Sequence, residues 1–157
     1  MPEIENIVEY RTPAGIQVVD LQRDFGWSAR DRGGNVTFDT IFQLTPPRGL
    51  TIYFPRGYWK ADGRHWGSQL NVFQIDGPLL STDVKVFPSN DTLDRSFESE
   101  LSSGCEDCRV PSIRMESNAI FIQHIDGRSS DKDILTSDFE KYEFDGKHFI
   151  YKGISKR

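Results

Sequence analysis

Alternation of apolar and polar residues at a period of two limits this chain more than any other feature. Val36, Phe38, Thr40, Phe42 and Leu44 stand two apart between the clusters Arg30-Asp31-Arg32-Gly33-Gly34-Asn35 and Pro46-Pro47-Arg48-Gly49. Side chains of a strand point alternately to two faces, so this spacing makes a half-buried strand bounded by turns. Short runs of the same kind cover 4–10, 16–25, 50–54, 70–75, 84–87 and 113–125, the last as one strand or two. Between them stand turn signals such as Thr12-Pro13-Ala14-Gly15, Asp76-Gly77-Pro78 and Asp126-Gly127. Pro55 has no N–H to donate, which limits 50–54 to a sheet edge or a strand end. Ala119-Ile120-Phe121-Ile122 is apolar on both faces and is expected in the middle of a sheet. Truncation of a buried ring there, Phe121→Ala, is expected to cost ~3–5 kcal/mol.

Near the C-terminus, Asp145-Gly146 separates two alternating runs. A two-residue type I′ hairpin is expected, because both loop positions then need positive φ. Phe144 would face Lys147, Glu143 would face His148 and Tyr142 would face Phe149. Tyr142, Phe144, Phe149 and Tyr151 then share one face, expected to pack on the core. One helix is expected, at about residues 92–103. Leu93, Phe97 and Leu101 fall at i, i+4 and i+8, Asp91 or Thr92 can cap the start, and Gly104 suits the end.

The fold expected is mainly β: an antiparallel β-sandwich or barrel with that one short α-helix, built as a single domain over 1–157. Composition agrees. Eleven Phe and five Tyr against two Met describe a core of rings rather than of flexible chains. The net charge of −5 argues against duplex nucleic acid, whose binders gain affinity by neutralising phosphates. No apolar run approaches the roughly 20 residues of a membrane helix, so no membrane partner is expected. Met-Pro-Glu-Ile-Glu at the start carries no basic segment followed by an apolar one, so no signal peptide is expected.

Cys105-Glu106-Asp107-Cys108 is the most specific short motif. A redox pair wants a helix N-terminus after it to lower the thiol pKa, whereas two acids between the thiols raise it. A structural zinc site needs four ligands, and His65, His124 and His148 lack ligand spacing. A small disulfide-closed loop is the reading favoured, with a pair of free thiols as the alternative, and no metal or cofactor is expected. The disulfide would place the protein outside the cytoplasm, as an exported or periplasmic protein; free thiols would place it in the cytoplasm.

A second cluster mixes rings with cations: Arg56, Tyr58, Trp59, Lys60, Arg64, His65 and Trp66 fall within eleven residues. Such a surface can stack sugars or bases, hold anions, or anchor another protein. The plainer reading is that the Trp rings end the core and Arg stems cover them. Trp59→Ala is expected to harm binding more than folding. Gly57-Tyr58-Trp59 resembles the Gly-x-Trp signature of lipocalins, but that signature lies on the first strand near the chain start, and no family is assigned from it. The acidic stretch 83–107 reads as a solvated helix face, or as a docking surface for a basic partner.

No catalytic motif stands out. Asp131-Lys132-Asp133 lacks the central Gly of a calcium loop, and Ser129-x-x-Lys132 lies in an exposed polar stretch. The function expected is that of a non-catalytic binding protein, of the inhibitor or immunity type, with a protein partner. The alternatives are a small-molecule or carbohydrate binder using the Trp/Arg face, and a small enzyme whose site gathers distant residues such as His65 or His124.

Overall fold

The computed structural model describes residues 7–21, 36–60, 65–89, 92–94, 96–101, 110–126 and 133–156. The described residues are almost entirely strand, in fourteen segments. In chain order these are β1 (Ile7–Thr12), β2 (Gly15–Asp20), β3 (Val36–Leu44), β4 (Ile52–Lys60), β5 (Trp66–Asn71), β6 (Phe73–Asp76) and β7 (Leu79–Ser81). They continue as β8 (Phe87–Ser89), β9 (Thr92–Asp94), β10 (Ser96–Leu101), β11 (Ile113–Glu116), β12 (Ala119–Asp126), β13 (Ile134–Phe144) and β14 (Phe149–Ser155). A six-stranded sheet holds β10-β5-β4-β6-β7 with β3 paired to β4. A four-stranded sheet runs β11-β12-β13-β14, and β1-β2 and β8-β9 are two-stranded ribbons. All pairings are antiparallel.

The large and small sheets pack face to face in a sandwich-like arrangement. Their shared core takes Ile52 and Phe54 from β4, Leu70 from β5, Ile113 from β11, Ile120 and Ile122 from β12, Phe144 from β13 and Phe149 from β14. Phe54, Phe87 and Phe149 make a three-ring hub: Phe87 stacks on Phe149 at 5.7 Å, and Phe54 meets them edge-on at 6.0 and 5.7 Å. The Phe149 N–H donates to the Val86 carbonyl at 2.8 Å, which ties β14 to the chain entering β8. The β1-β2 ribbon closes the outer face of the large sheet. Val8 and Leu21 pack there on Phe73, with Tyr53 stacked on that ring at 5.1 Å.

The helix expected at 92–103 does not form. β9 and β10 occupy 92–94 and 96–101, and 102–103 lie outside the described residues. A spacing of four is also a multiple of two, so the stripe that suits a helix suits a strand equally. β10 pairs with β5 along its whole length, from Ser96 opposite Asn71 to Leu101 opposite Trp66. Phe97 reaches the core beside Phe87 at 6.1 Å and Tyr142 at 5.2 Å. Thr92 caps nothing; its hydroxyl donates to the Ser89 carbonyl in the β8-β9 ribbon.

Pro55 lies inside β4 rather than at an end. β5 pairs with β4 from Arg56 onward and β6 pairs with it up to Tyr53, so pairing on that side lapses at Phe54 and Pro55. A missing N–H is tolerated at such a lapse. The C-terminal hairpin also differs from expectation. Phe144 faces Phe149, Glu143 faces Ile150 and Tyr142 faces Tyr151, around a four-residue loop from Asp145 to His148. The Asp145 carboxylate accepts the Lys147 and His148 N–H groups, both at 2.8 Å, and this turn displaces the two-residue one. A slip of two residues preserves which face each side chain takes. Phe144 and Phe149 are therefore buried as expected, while Tyr151 is half exposed.

β12 is central in its sheet, between β11 and β13. Its buried residues are Ala119, Ile120 and Ile122. Phe121 takes the outer face, only partly buried, with the Arg114 guanidinium 4.8 Å and the Lys141 ammonium 5.9 Å from its ring centre. Among the described residues, no helix is long and apolar enough to cross a membrane.

Candidate binding face on strands β4 and β5

A bulge in β3 sets up the site. Phe38 pairs with Gly57 and Thr40 with Arg56, which leaves Asp39 as the extra residue. Bulges shift the phase of the pleat. Val36 and Phe38 accordingly pack on the outer face of the large sheet, while Phe42 and Leu44 join the core between the sheets. The alternation from Val36 to Leu44 thus serves two faces, not one.

The bulge also brings the Asp39 carboxylate to Arg56. Arg56 Nε and Nη2 donate to its two oxygens at 3.0 and 2.8 Å. Nη1 donates to the Ile113 carbonyl of the small sheet at 2.9 Å, and Nη2 also reaches the Thr40 hydroxyl at 3.1 Å. The guanidinium stands 5.6 Å from the Phe42 ring centre. Arg56 is a strut between the sheets, with its donors already engaged by protein. As an exposed ion pair it would contribute ~0.2–1 kcal/mol; the bidentate geometry favours the upper end.

Along β4 the side chains alternate. Ile52, Phe54, Arg56, Tyr58 and Lys60 share the inner face, and Tyr53, Pro55, Gly57 and Trp59 take the outer one. The small sheet covers the first two of the inner set. Its entering segment then crosses at Ser68, whose hydroxyl donates to the Pro111 carbonyl. Past that crossing Tyr58 is 43% exposed and Lys60 is exposed. Trp66, opposite Lys60 in register, is half-buried, with the Lys60 ammonium 5.3 Å from its ring centre. A cleft of about 260 Å³ opens between Arg56, Tyr58 and Ser68 on one side and Val110, Pro111 and Ile113 on the other.

Of the residues that the sequence grouped, Arg56, Tyr58, Lys60 and Trp66 come together on one face. Trp59 does not. It is 3% exposed on the outer face, packed with Val36, and its indole occupies the space above Gly67. A Cβ on Gly67 would lie 2.4 Å from the ring, so only glycine fits opposite this tryptophan. His65 is half-buried just before β5. Trp27, Arg64, Cys105 and Cys108 lie outside the described residues.

Sequence reading missed a second polar arrangement, on the small sheet. His124 Nδ1 lies 3.0 Å from Glu140 Oε1, and the Tyr142 hydroxyl donates to Glu140 Oε2 at 2.9 Å. Burial of the ring, and then the adjacent carboxylate, push the Tyr142 pKa well above the ordinary tyrosine value. Glu140 and Tyr142 are two apart on one strand and so share a face, a signal available in the sequence. His124 joins them through a register shift in β12 between Gln123 and Ile125, which no local pattern announces. Among the described residues, no three of His, Cys, Asp and Glu come together to hold a metal ion.

Comparison with protein-family models, curated proteins and solved structures finds no match to this chain.

Proposed function

We propose that this protein is a non-catalytic binding domain that engages another protein, in the manner of a small inhibitor or immunity-type factor. Tyr58, Lys60 and Trp66 form the contact. The carrying observation is that these three stay accessible on the inner face of β4 and β5 beyond the point where the small sheet stops covering it. Tyr and Trp anchor protein interfaces because they bury large rings at little entropic cost, and a lysine beside them favours an acidic partner surface. A small-molecule site would want a free cation and a bare ring in a cleft. Here Arg56 is engaged by Asp39, Thr40 and Ile113, and Trp59 faces the other way.

The test is capture on immobilised protein from cells that express it. The wild type should retain a protein that Tyr58→Ala with Lys60→Glu releases, while both forms melt together. Equal retention by the variant would remove this face from the interface. A second reading rests on the 260 Å³ cleft beside Tyr58, which could take a small uncharged ligand. Its signature is a chemical-shift change at the Tyr58 ring on titration with such a ligand, abolished by filling the cleft with Ser68→Leu.

A further inference from the structure

Trp59 and Gln69 stand diagonally across the outer face of β4 and β5, since Trp59 is opposite Gly67 and Gln69 is opposite Gly57. The indole lies over Gly67, its Nε1 2.8 Å from where a Cβ would be, so the indole N–H sits on β5 two residues from Gln69. Gln69 is 1% exposed, and its Nε2 donates to Asn71 Oδ1 at 2.6 Å, which fixes the direction of the amide. Trp59 Nε1 and Gln69 Oε1 are both buried without a hydrogen-bond partner among the described residues.

A buried polar group left unpaired costs roughly a factor of five or more in the folding equilibrium. Of the four such atoms among the described residues, these two stand on one face of neighbouring strands, one a donor and one an acceptor. The indole N–H only donates and the amide oxygen only accepts. A hydroxyl does both. We propose that the outer face of β4 and β5 binds a hydroxyl group that accepts from Trp59 Nε1 and donates to Gln69 Oε1. The hydroxyl belongs either to an internal water molecule or to a small polyol or sugar. Internal waters occur where a polar site offers two or more partners.

Nuclear magnetic resonance on the wild type tests this and separates the sources. The Trp59 indole N–H, assigned by its loss in Trp59→Phe, should show a cross-relaxation peak to long-lived water. Gln69→Leu should remove that peak, with Gln69→Met as the substitute if the leucine variant does not fold. Added glycerol or glucose should leave the resonance in place if water fills the site. A shift with cross peaks to the added molecule would instead assign the hydroxyl to a polyol. A Trp59→Phe, Gln69→Leu double-mutant cycle should show coupling of about fivefold in the unfolding constant. An indole N–H with no cross peak to water or polyol would overturn the proposal, in favour of a direct indole–amide bond. A peak that survives loss of the Gln69 amide, or a cycle without coupling, would overturn it too.

Discussion

Phe54 and Tyr58 lie on the same face of one strand, yet Phe54 is fully buried and Tyr58 is 43% exposed. Between them stands Arg56, bonded at once to the β3 bulge and to the small sheet. On one side of Arg56, strand β4 supplies the ring hub that holds the sandwich together. On the other side the small sheet has ended, and the same pleat presents Tyr58 and Lys60 outward. Stability and the proposed recognition are thus divided along a single strand. The divide is set by where the opposing sheet stops covering it, not by the residues' hydrophobicity.

Variants can sharpen this comparison or break it. Trp59→Ala should have the largest effect, ~3–5 kcal/mol in denaturant unfolding, because it empties a buried site on the outer face of the recognition half. A small loss would mean that this half is not anchored from behind. Gly67→Ala should cost ~1–3 kcal/mol, since the new methyl group drives into the Trp59 indole; an unchanged melt would place the ring elsewhere. Arg56→Ala should cost ~1–2 kcal/mol through its carbonyl and carboxylate bonds, and should lower the affinity of Tyr58 and Lys60 for a partner only indirectly. Phe121→Ala should likewise cost ~1–2 kcal/mol, less than a core ring, because its face is open to Arg114 and Lys141. A loss matching that of a buried ring would mean the outer face of β12 is covered.

The smallest effect concerns the turn opposite the recognition half. The N–H groups of His148 and then Lys147 hold the Asp145 carboxyl below its ordinary pKa. A carboxyl with a depressed folded-state pKa adds stability above its unfolded pKa and loses it as pH falls through the folded one. Asp145→Ala should therefore lower the melting temperature slightly at neutral pH. That gap should close as the solution is acidified below the usual carboxylate range. A gap independent of pH would mean the carboxylate's charge plays no part in the turn.

Much of the strand layout was legible because alternation, turn residues and apolar runs are local signals. The β1-β2 turn at Pro13-Ala14, the Asp76-Gly77-Pro78 turn and the central place of Ala119–Ile122 all rest on such signals. The failures share one physical cause, which is that pairing is decided by a distant partner. Leu93, Phe97 and Leu101 fit helix and strand alike; β8 draws Leu93 into a strand, and β5 draws Phe97 and Leu101. The Asp145 loop offers more than one register; beside its own carboxylate bonds, the docking of Phe149 on Val86, Phe54 and Phe87 favours the one observed. The bulge at Asp39 and the surplus residues of β13 opposite His124 redirect side chains with no mark in composition. For the same reason the grouping of rings and cations on β4 and β5 was legible, while the exposure of Tyr58 and the burial of Trp59 were not.

Side-by-side urea unfolding of Phe54→Ala and Tyr58→Ala tests the division of β4 most directly. The division predicts a loss of ~3–5 kcal/mol for the first and under ~0.5 kcal/mol for the second, with unchanged slopes. Comparable losses at the two positions would contradict it, because both residues would then belong to one continuous core.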